Sequence, residues 1–140
     1  MAVTAGGVSA LVALLVSGCV AATWDEIEDY SFTLRLYDGK CGEKPRGAWR
    51  LTVVGDEIAG VVALDEVARK GPFIEGAPTL KELYEGALRI KKDGAYDILR
   101  IDYETGPHGR RPAGVYFLSR DRGEELCETY TDYQPLPMWY

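Results

Sequence analysis

A chain of 140 residues with 46% hydrophobic and 27% charged side chains has the composition of one folded domain, which excludes a disordered or fibrous protein. Its 22 acidic and 16 basic residues give a formal net charge of -6, which opposes binding to nucleic acid because lysine and arginine supply the affinity for phosphate. The same charge opposes adsorption to anionic lipid, so membrane attachment would need a covalent or inserted anchor.

The chain begins with an uncharged segment that has features of an export signal. No charged side chain occurs from Ala2 to Trp24, and the apolar run Val8–Val16 has the length of a signal-peptide core. No lysine or arginine precedes this run, which departs from the usual signal peptide. The sequence Leu15-Val16-Ser17-Gly18-Cys19 follows and resembles a bacterial lipobox, in which an aliphatic residue and two small residues precede an acylated cysteine.

These features predict three segments. Residues 1–18 form a lipoprotein-type signal peptide, residues 19–28 an anchor and tether that starts at the lipid-modified Cys19, and residues 29–140 a single domain. One alternative is ordinary secretion, with cleavage after Ala22, and another is an uncleaved transmembrane helix, since about 20 apolar residues span a bilayer. The anchored form predicts a protein on the extracytoplasmic face of the cell membrane, whereas cleavage after Ala22 predicts a secreted or periplasmic one.

The cysteines agree with export. If Cys19 carries lipid, Cys41 and Cys127 remain as one pair in a compartment that permits disulfides. Closing so long a loop stabilises a domain by roughly 4 kcal/mol in the chain-entropy model. We therefore predict a Cys41–Cys127 disulfide, with two buried free thiols as the alternative.

Strand patterns occupy the first half of the mature chain. Apolar and polar side chains alternate over Tyr30–Tyr37, as in a half-buried strand. The pattern returns in Trp49–Val54 and Glu57–Leu64, and Gly55-Asp56 between them favours a tight hairpin turn.

A helix and three more strands complete the pattern. Thr79-Leu-Lys-Glu82 is a capping box, the apolar residues after it recur at helical spacing, and Gly94 predicts the end of the helix. Three strands are then predicted over Ile98–Tyr103, Ala113–Ser119 and Glu128–Tyr133. The expected fold is α+β: an antiparallel sheet of five to six strands with one main helix packed on one face.

The mature chain resembles a family of small bacterial exported proteins and lipoproteins that is classed as a domain of unknown function, number six-one-seven-four. The resemblance covers most of Trp24 to Pro135 and includes the aromatic strand at Tyr30, the hairpin Val53–Val61 and the helix opening Pro78–Leu83. The segment at Cys41 and the glycine- and proline-containing turn Gly109–Gly114 also match. The resemblance implies the α+β fold and an envelope setting, and it implies no activity.

Few residues are candidates for chemistry. His108 is the only histidine, and its glycine- and proline-rich surroundings indicate an exposed loop. The cysteines stand too far apart in sequence for a zinc cluster, and we expect neither a metal nor another cofactor. Arg110 and Arg111, with His108, form a locally basic loop that is a candidate site for an anion or a partner. The acidic residues around Glu28 and Asp29 are predicted to be a solvated surface.

The expected function is therefore binding rather than catalysis. We expect a non-enzymatic, lipid-anchored envelope module that binds another envelope protein or a cell-wall component through one sheet face or the basic loop. The first alternative is a freely secreted inhibitor or binding protein. A weaker alternative is an enzyme that uses carboxylates on the sheet.

Overall fold

The computed structural model describes residues 28–71, 76–106 and 109–137. By its contacts the chain divides into two compact units, of which the larger comprises Glu26–Glu104 and Pro112–Tyr140 and the smaller includes Thr105–Arg111. The elements in the described residues are six strands and two helices: β1 (Tyr30–Asp38), β2 (Lys44–Val54), β3 (Glu57–Ala63), α1 (Glu66–Lys70), α2 (Leu80–Asp93), β4 (Ile98–Gly106), β5 (Gly109–Ser119) and β6 (Glu124–Pro135).

The six strands form one sheet in the order β3-β2-β1-β6-β5-β4. Strand β1 lies at the centre and pairs antiparallel with both β2 and β6, so Leu34 stands between Trp49 and Tyr130. Neighbours along the chain pair as hairpins at both sides of the sheet. The predicted α+β fold, with an antiparallel sheet and one main helix, is confirmed.

The core lies between one face of the sheet and α2. Tyr30, Phe32 and Leu34 alternate along β1 and are fully or almost fully buried. The Tyr30 hydroxyl accepts a hydrogen bond of 3.1 Å from the main-chain N–H of Leu80, at the first residue of α2. Leu80 itself is 1% exposed, and Tyr84 packs edge-on against a tyrosine of β4 at 6.0 Å between ring centroids. The apolar stripe of the helix therefore covers the apolar face of the sheet.

The local signals for turns and caps are confirmed. Gly55 and Asp56 both have positive φ, 59° and 66°, as a two-residue hairpin turn that matches strand twist requires. The Thr79 hydroxyl accepts from the Glu82 N–H while the Glu82 carboxylate accepts from the Thr79 N–H, which completes the capping box. Gly94 ends α2 with φ 67°.

Several elements extend beyond the sequence prediction. Strand β2 begins at Lys44, five residues before the predicted start at Trp49. The sequence pattern missed these residues because Pro45 and Gly47 interrupt the alternation that marks a strand. Helix α1 was not predicted, although Asp65 caps it by accepting from the Ala68 N–H at 2.8 Å. Strands β4 and β5 are also longer than predicted, so that Gly109–Arg111 belongs to β5 rather than to a loop.

The disulfide prediction is confirmed: Cys41 and Cys127 are bonded, with their Cα atoms 5.2 Å apart and 86 positions between them in sequence. Cys41 lies in the turn after β1, and Cys127 is a buried residue of β6. Beside the bond, the Gly39 N–H donates to the main-chain carbonyl of Glu125 at 2.8 Å. The disulfide therefore ties the turn between β1 and β2 to the strand on the other side of β1.

Candidate functional site

The sheet face opposite α2 is polar. Ser31, Thr33 and Arg35 alternate along β1 with the core residues, so their side chains lie on this opposite face. The register places Arg50 of β2 on one side of Thr33 and Thr131 of β6 on the other. Three neighbouring strands therefore share a row of hydroxyl and guanidinium groups.

Arg50 connects this row across the three strands. Its Nη1 donates to Thr33 Oγ1 at 2.9 Å and to the main-chain carbonyl oxygen of Asp132 at 2.8 Å. Its Nη2 donates to Ser31 Oγ at 2.7 Å. Ser31 and Thr33 are buried, so Arg50 supplies donors to hydroxyl groups that have little access to water. One side chain thereby joins β1, β2 and β6.

Asp132 marks a bulge in β6. The register between β1 and β6 shifts between Ser31 and Thr33, and Asp132 has φ 54°, in the left-handed region that residues other than glycine seldom adopt. Arg35 Nη1 donates to Thr131 Oγ1 at 2.8 Å and lies 3.9 Å from Asp132 Oδ2. Both arginines therefore contact the bulge from the side of β1 and β2, and their hydrogen bonds stabilise the sheet.

A groove of about 600 Å³ lies between the end strand β3 and the chain that leads into α2. Residues Ile58–Val61 line one side, and Gly76 and Ala77 contribute to the other. The ionisable groups among its described lining residues are all carboxylates, from Asp56, Glu57 and Glu82. Glu82 Oε1 accepts from the N–H of the helix cap at 2.9 Å, so this carboxylate also holds the start of α2.

A half-buried carboxyl, that of Glu128, lies on the core side of β6. The Tyr130 hydroxyl donates to Glu128 Oε1 at 2.6 Å. Burial raises the pKa of the Glu128 carboxyl, and the hydrogen bond from Tyr130 opposes that shift. Burial raises the pKa of Tyr130 as well, and the negative charge of Glu128 adds to this effect. Glu128 is paired with Leu36 and Val115 on the neighbouring strands, so this perturbed pair belongs to the core and not to the groove.

The two arginines of the predicted basic loop belong to a strand in the structure. Arg110 and Arg111 lie at the start of β5, where Arg110 is exposed and Arg111 is half-buried. The Arg111 guanidinium lies so close to Gly106 that a Cβ at that glycine would overlap it. His108 and Cys19 lie outside the described residues. The structure therefore assigns the two arginines to a strand end.

Two residues of the predicted solvated acidic surface, Glu28 and Asp29, are half-exposed and hydrogen-bonded to the folded domain. Glu28 Oε2 accepts from the Tyr133 hydroxyl at 2.8 Å, and Asp29 Oδ1 accepts from the Gly55 N–H at 2.9 Å. The main-chain carbonyl of Asp29 also accepts from the Leu136 N–H at 2.9 Å. Sequence alone did not reveal these bonds because their partners are distant along the chain.

Within residues 28–71, 76–106 and 109–137, no three histidine, cysteine or acidic side chains are grouped so that they could hold a metal ion. No helix in the same ranges is long and apolar enough to cross a membrane. Comparison of the chain with models of known families, with curated proteins and with solved structures finds no match.

Proposed function

We propose that this protein is a lipid-anchored, extracytoplasmic binding module without enzymatic activity. The observation that carries the proposal is the Cys41–Cys127 disulfide, since structural disulfides persist in oxidising compartments and are rare in the cytosol. The lipobox-like sequence at Cys19 supplies the matching means of export and attachment. The resemblance to a family of bacterial exported proteins and lipoproteins implies the same envelope location, which stays a prediction.

The way the chain enters its folded body fits a tether. The Asp29 side chain accepts a hydrogen bond from the Gly55 N–H, and its main-chain carbonyl accepts one from the Leu136 N–H. These two bonds attach the chain to the domain at this residue. The predicted tether, residues 19–28, spans at most about 35 Å when extended. An anchor on Cys19 therefore keeps the domain close to the lipid surface, with the hairpin turn at Gly55 beside the point of entry.

Binding is favoured over catalysis because the buried and half-buried polar side chains are engaged in structural hydrogen bonds. Arg50 and Arg35 bond to hydroxyl groups and to the bulge of the sheet, and Glu128 bonds to Tyr130 in the core. These groups support the fold. The features left for a partner are the exposed part of the polar sheet face, around Arg35 and Asp132, and the groove beside β3.

A carboxylate-based enzyme is the second candidate, because the groove brings Asp56, Glu57 and Glu82 to one cavity. General acid-base chemistry needs at least one carboxyl positioned on a reacting group. Glu82 caps α2 with one oxygen, which favours a structural role for it. The groove therefore supports binding more directly than catalysis.

Fractionation of a bacterial host that expresses the full chain tests the proposal. The wild-type protein should incorporate labelled fatty acid and remain with membranes after a high-salt wash. The Cys19→Ser variant should incorporate no label, and after cleavage of its signal segment it should not remain with membranes. Cys41→Ser is the matched control, because it removes a cysteine without removing the acylation site and should keep the label. A mature N-terminus at Thr23 without lipid would replace the proposal with the freely secreted alternative.

A further inference from the structure

Strand β3 has an open edge. It is the end strand of the sheet, and in the part of the chain that the structure describes no group hydrogen-bonds to its outer side. Beyond its last residue, the Leu64 N–H donates to the Ala48 carbonyl at 2.8 Å. Because hydrogen-bonded and non-hydrogen-bonded pairs alternate in an antiparallel ladder, Val62 bonds to β2 while Val61 and Ala63 direct their N–H and C=O groups outward.

The carboxyl-terminal half of this edge has little protection. Natural sheets protect open edges with lysine, proline, inward-pointing charge or a bulge. The register between β2 and β3 shifts at Ala59, so a bulge interrupts the start of the strand, but no lysine, proline or charged residue occurs from Ile58 to Leu64. Four large apolar side chains are exposed among the described residues, and three of them lie on or just after β3: Val62, Leu64 and Val67. A strand edge that is regular and uncharged from Gly60 to Ala63, with exposed apolar side chains beside it, is typical of a site where another strand is added.

The charge of the groove beside the edge indicates which charge a segment that pairs with β3 would carry. Asp56 and Glu57 lie at the start of β3, and Glu82 faces the same groove, while no lysine or arginine is among the described lining residues. A second copy of this chain would bring the same carboxylates to the interface, and its formal net charge over the whole chain is also -6. A cationic segment instead gains complementary charge at the start of β3.

We propose that β3 is the docking edge for an extended, lysine- or arginine-bearing segment of a partner protein, which adds to the sheet as a seventh strand beside the acidic groove. Antiparallel addition is the more stable arrangement, and it places the carboxyl-terminal end of the segment opposite Glu57. The basic residues of the segment therefore belong at that end. This inference names the partner and surface of the binding module proposed above and rests on that proposal.

Peptide binding to the full chain tests the inference. The probe is an amidated peptide of alternating threonine and valine that ends in two lysines, and the comparison peptides end in two glutamates or carry the lysines at the amino-terminal end. The lysine-ending peptide should bind best and should slow amide hydrogen exchange at Val61 and Ala63. Equal binding of the lysine and glutamate peptides, or unchanged exchange at both residues, would overturn the proposal.

Variants locate the site. Val61→Pro removes one outward N–H and should reduce affinity at least about tenfold, since a main-chain hydrogen bond and its geometry are lost. Val62→Lys places a positive charge on the edge without touching the main chain, and it keeps the test valid if the proline variant does not fold. Ile98→Lys is the matched control, because Ile98 is an exposed residue on the opposite end strand, and its peptide affinity should equal that of the wild type.

Charge is tested separately. The double variant Asp56→Asn with Glu57→Gln keeps the turn and should weaken binding about fivefold at low salt, with the difference shrinking at high salt. A double variant that binds as tightly as the wild type would contradict the cationic partner. Concentration-dependent dimerisation with slow exchange at Val61 and Ala63 before any peptide is added would instead assign the edge to a second copy. Peptide binding is measured without a membrane, so its failure is distinguishable from failure of the lipid anchor.

Discussion

Arg50 donates from Nη1 to the main-chain carbonyl of Asp132, 2.8 Å away, so a side chain of β2 holds a bulge in β6, two strands distant. The bulge residue has positive φ, a conformation that persists only where the surroundings enforce it. The sheet therefore depends on a cation at its centre as well as on its apolar core.

Replacement of Arg50 by alanine should lower the free energy of unfolding by about 1 to 3 kcal/mol, because the buried hydroxyls of Ser31 and Thr33 lose their donor. Urea denaturation measures the change. Arg46→Ala is the control on the same strand, since Arg46 makes only a half-exposed ion pair of 3.4 Å with Asp38 and its loss should cost less than about 1 kcal/mol. Equal effects of the two substitutions would contradict the role of Arg50.

Stability should depend on pH through Glu128. Its pKa is raised by burial in the folded state, so this carboxyl favours the fold when it is protonated. The contribution is complete below the ordinary value of 4.5 and is lost as pH rises through the higher folded pKa. Relative to Glu128→Gln, the wild-type protein should therefore become less stable as the pH rises from 4.5 through the higher folded pKa.

Unfolding curves for both proteins across that pH range measure the effect of Glu128. Glu85→Gln, at an exposed position of α2, controls for the loss of one negative charge. If the wild type and Glu128→Gln keep a constant difference in unfolding free energy at every pH, the carboxyl does not titrate as the buried environment requires.

Loss of the disulfide should destabilise the domain. Cys41→Ser opens an 86-position loop, and the chain-entropy model gives a loss of roughly 4 kcal/mol. A reductant should lower the unfolding midpoint of the wild-type protein and leave that of Cys41→Ser unchanged. Free alkylation of Cys41 and Cys127 in the native, unreduced protein would refute the bond.

Substitution of both Arg110 and Arg111 by alanine should change the free energy of unfolding by less than about 0.5 kcal/mol, because at the start of β5 Arg110 is exposed and Arg111 is only half-buried. Thermal denaturation measures the change. A large fall in melting temperature would make the arginines structural, and single variants would then show whether Arg111, the half-buried one, is responsible.

The fold was predictable where local chemistry decides it. The hairpin turn at Gly55, the capping box at Thr79 and the strand over Tyr30–Tyr37 depend on neighbouring residues, and each is confirmed. The alternation predicted one exposed face for this strand, whereas Ser31 and Thr33 are buried. Helix α1 was missed because five residues are too few to show helical periodicity.

The candidate sites were less predictable because they depend on which strands become neighbours. Alternation placed Arg35 on the polar side of its strand, yet nothing local shows that Arg50 reaches the bulge at Asp132. The open edge of β3 likewise follows from the order of strands in the sheet, which sequence patterns do not specify.

The bond between the Asp29 carbonyl and the Leu136 N–H brings the two ends of the folded body together. Ends this close can be joined by a short linker, and the chain can then be opened elsewhere. The turn at Arg120–Gly123, between β5 and β6, is exposed and lies at the opposite end of those strands. A circular permutant opened there keeps every strand intact and moves the new termini away from the point where the native chain enters the domain.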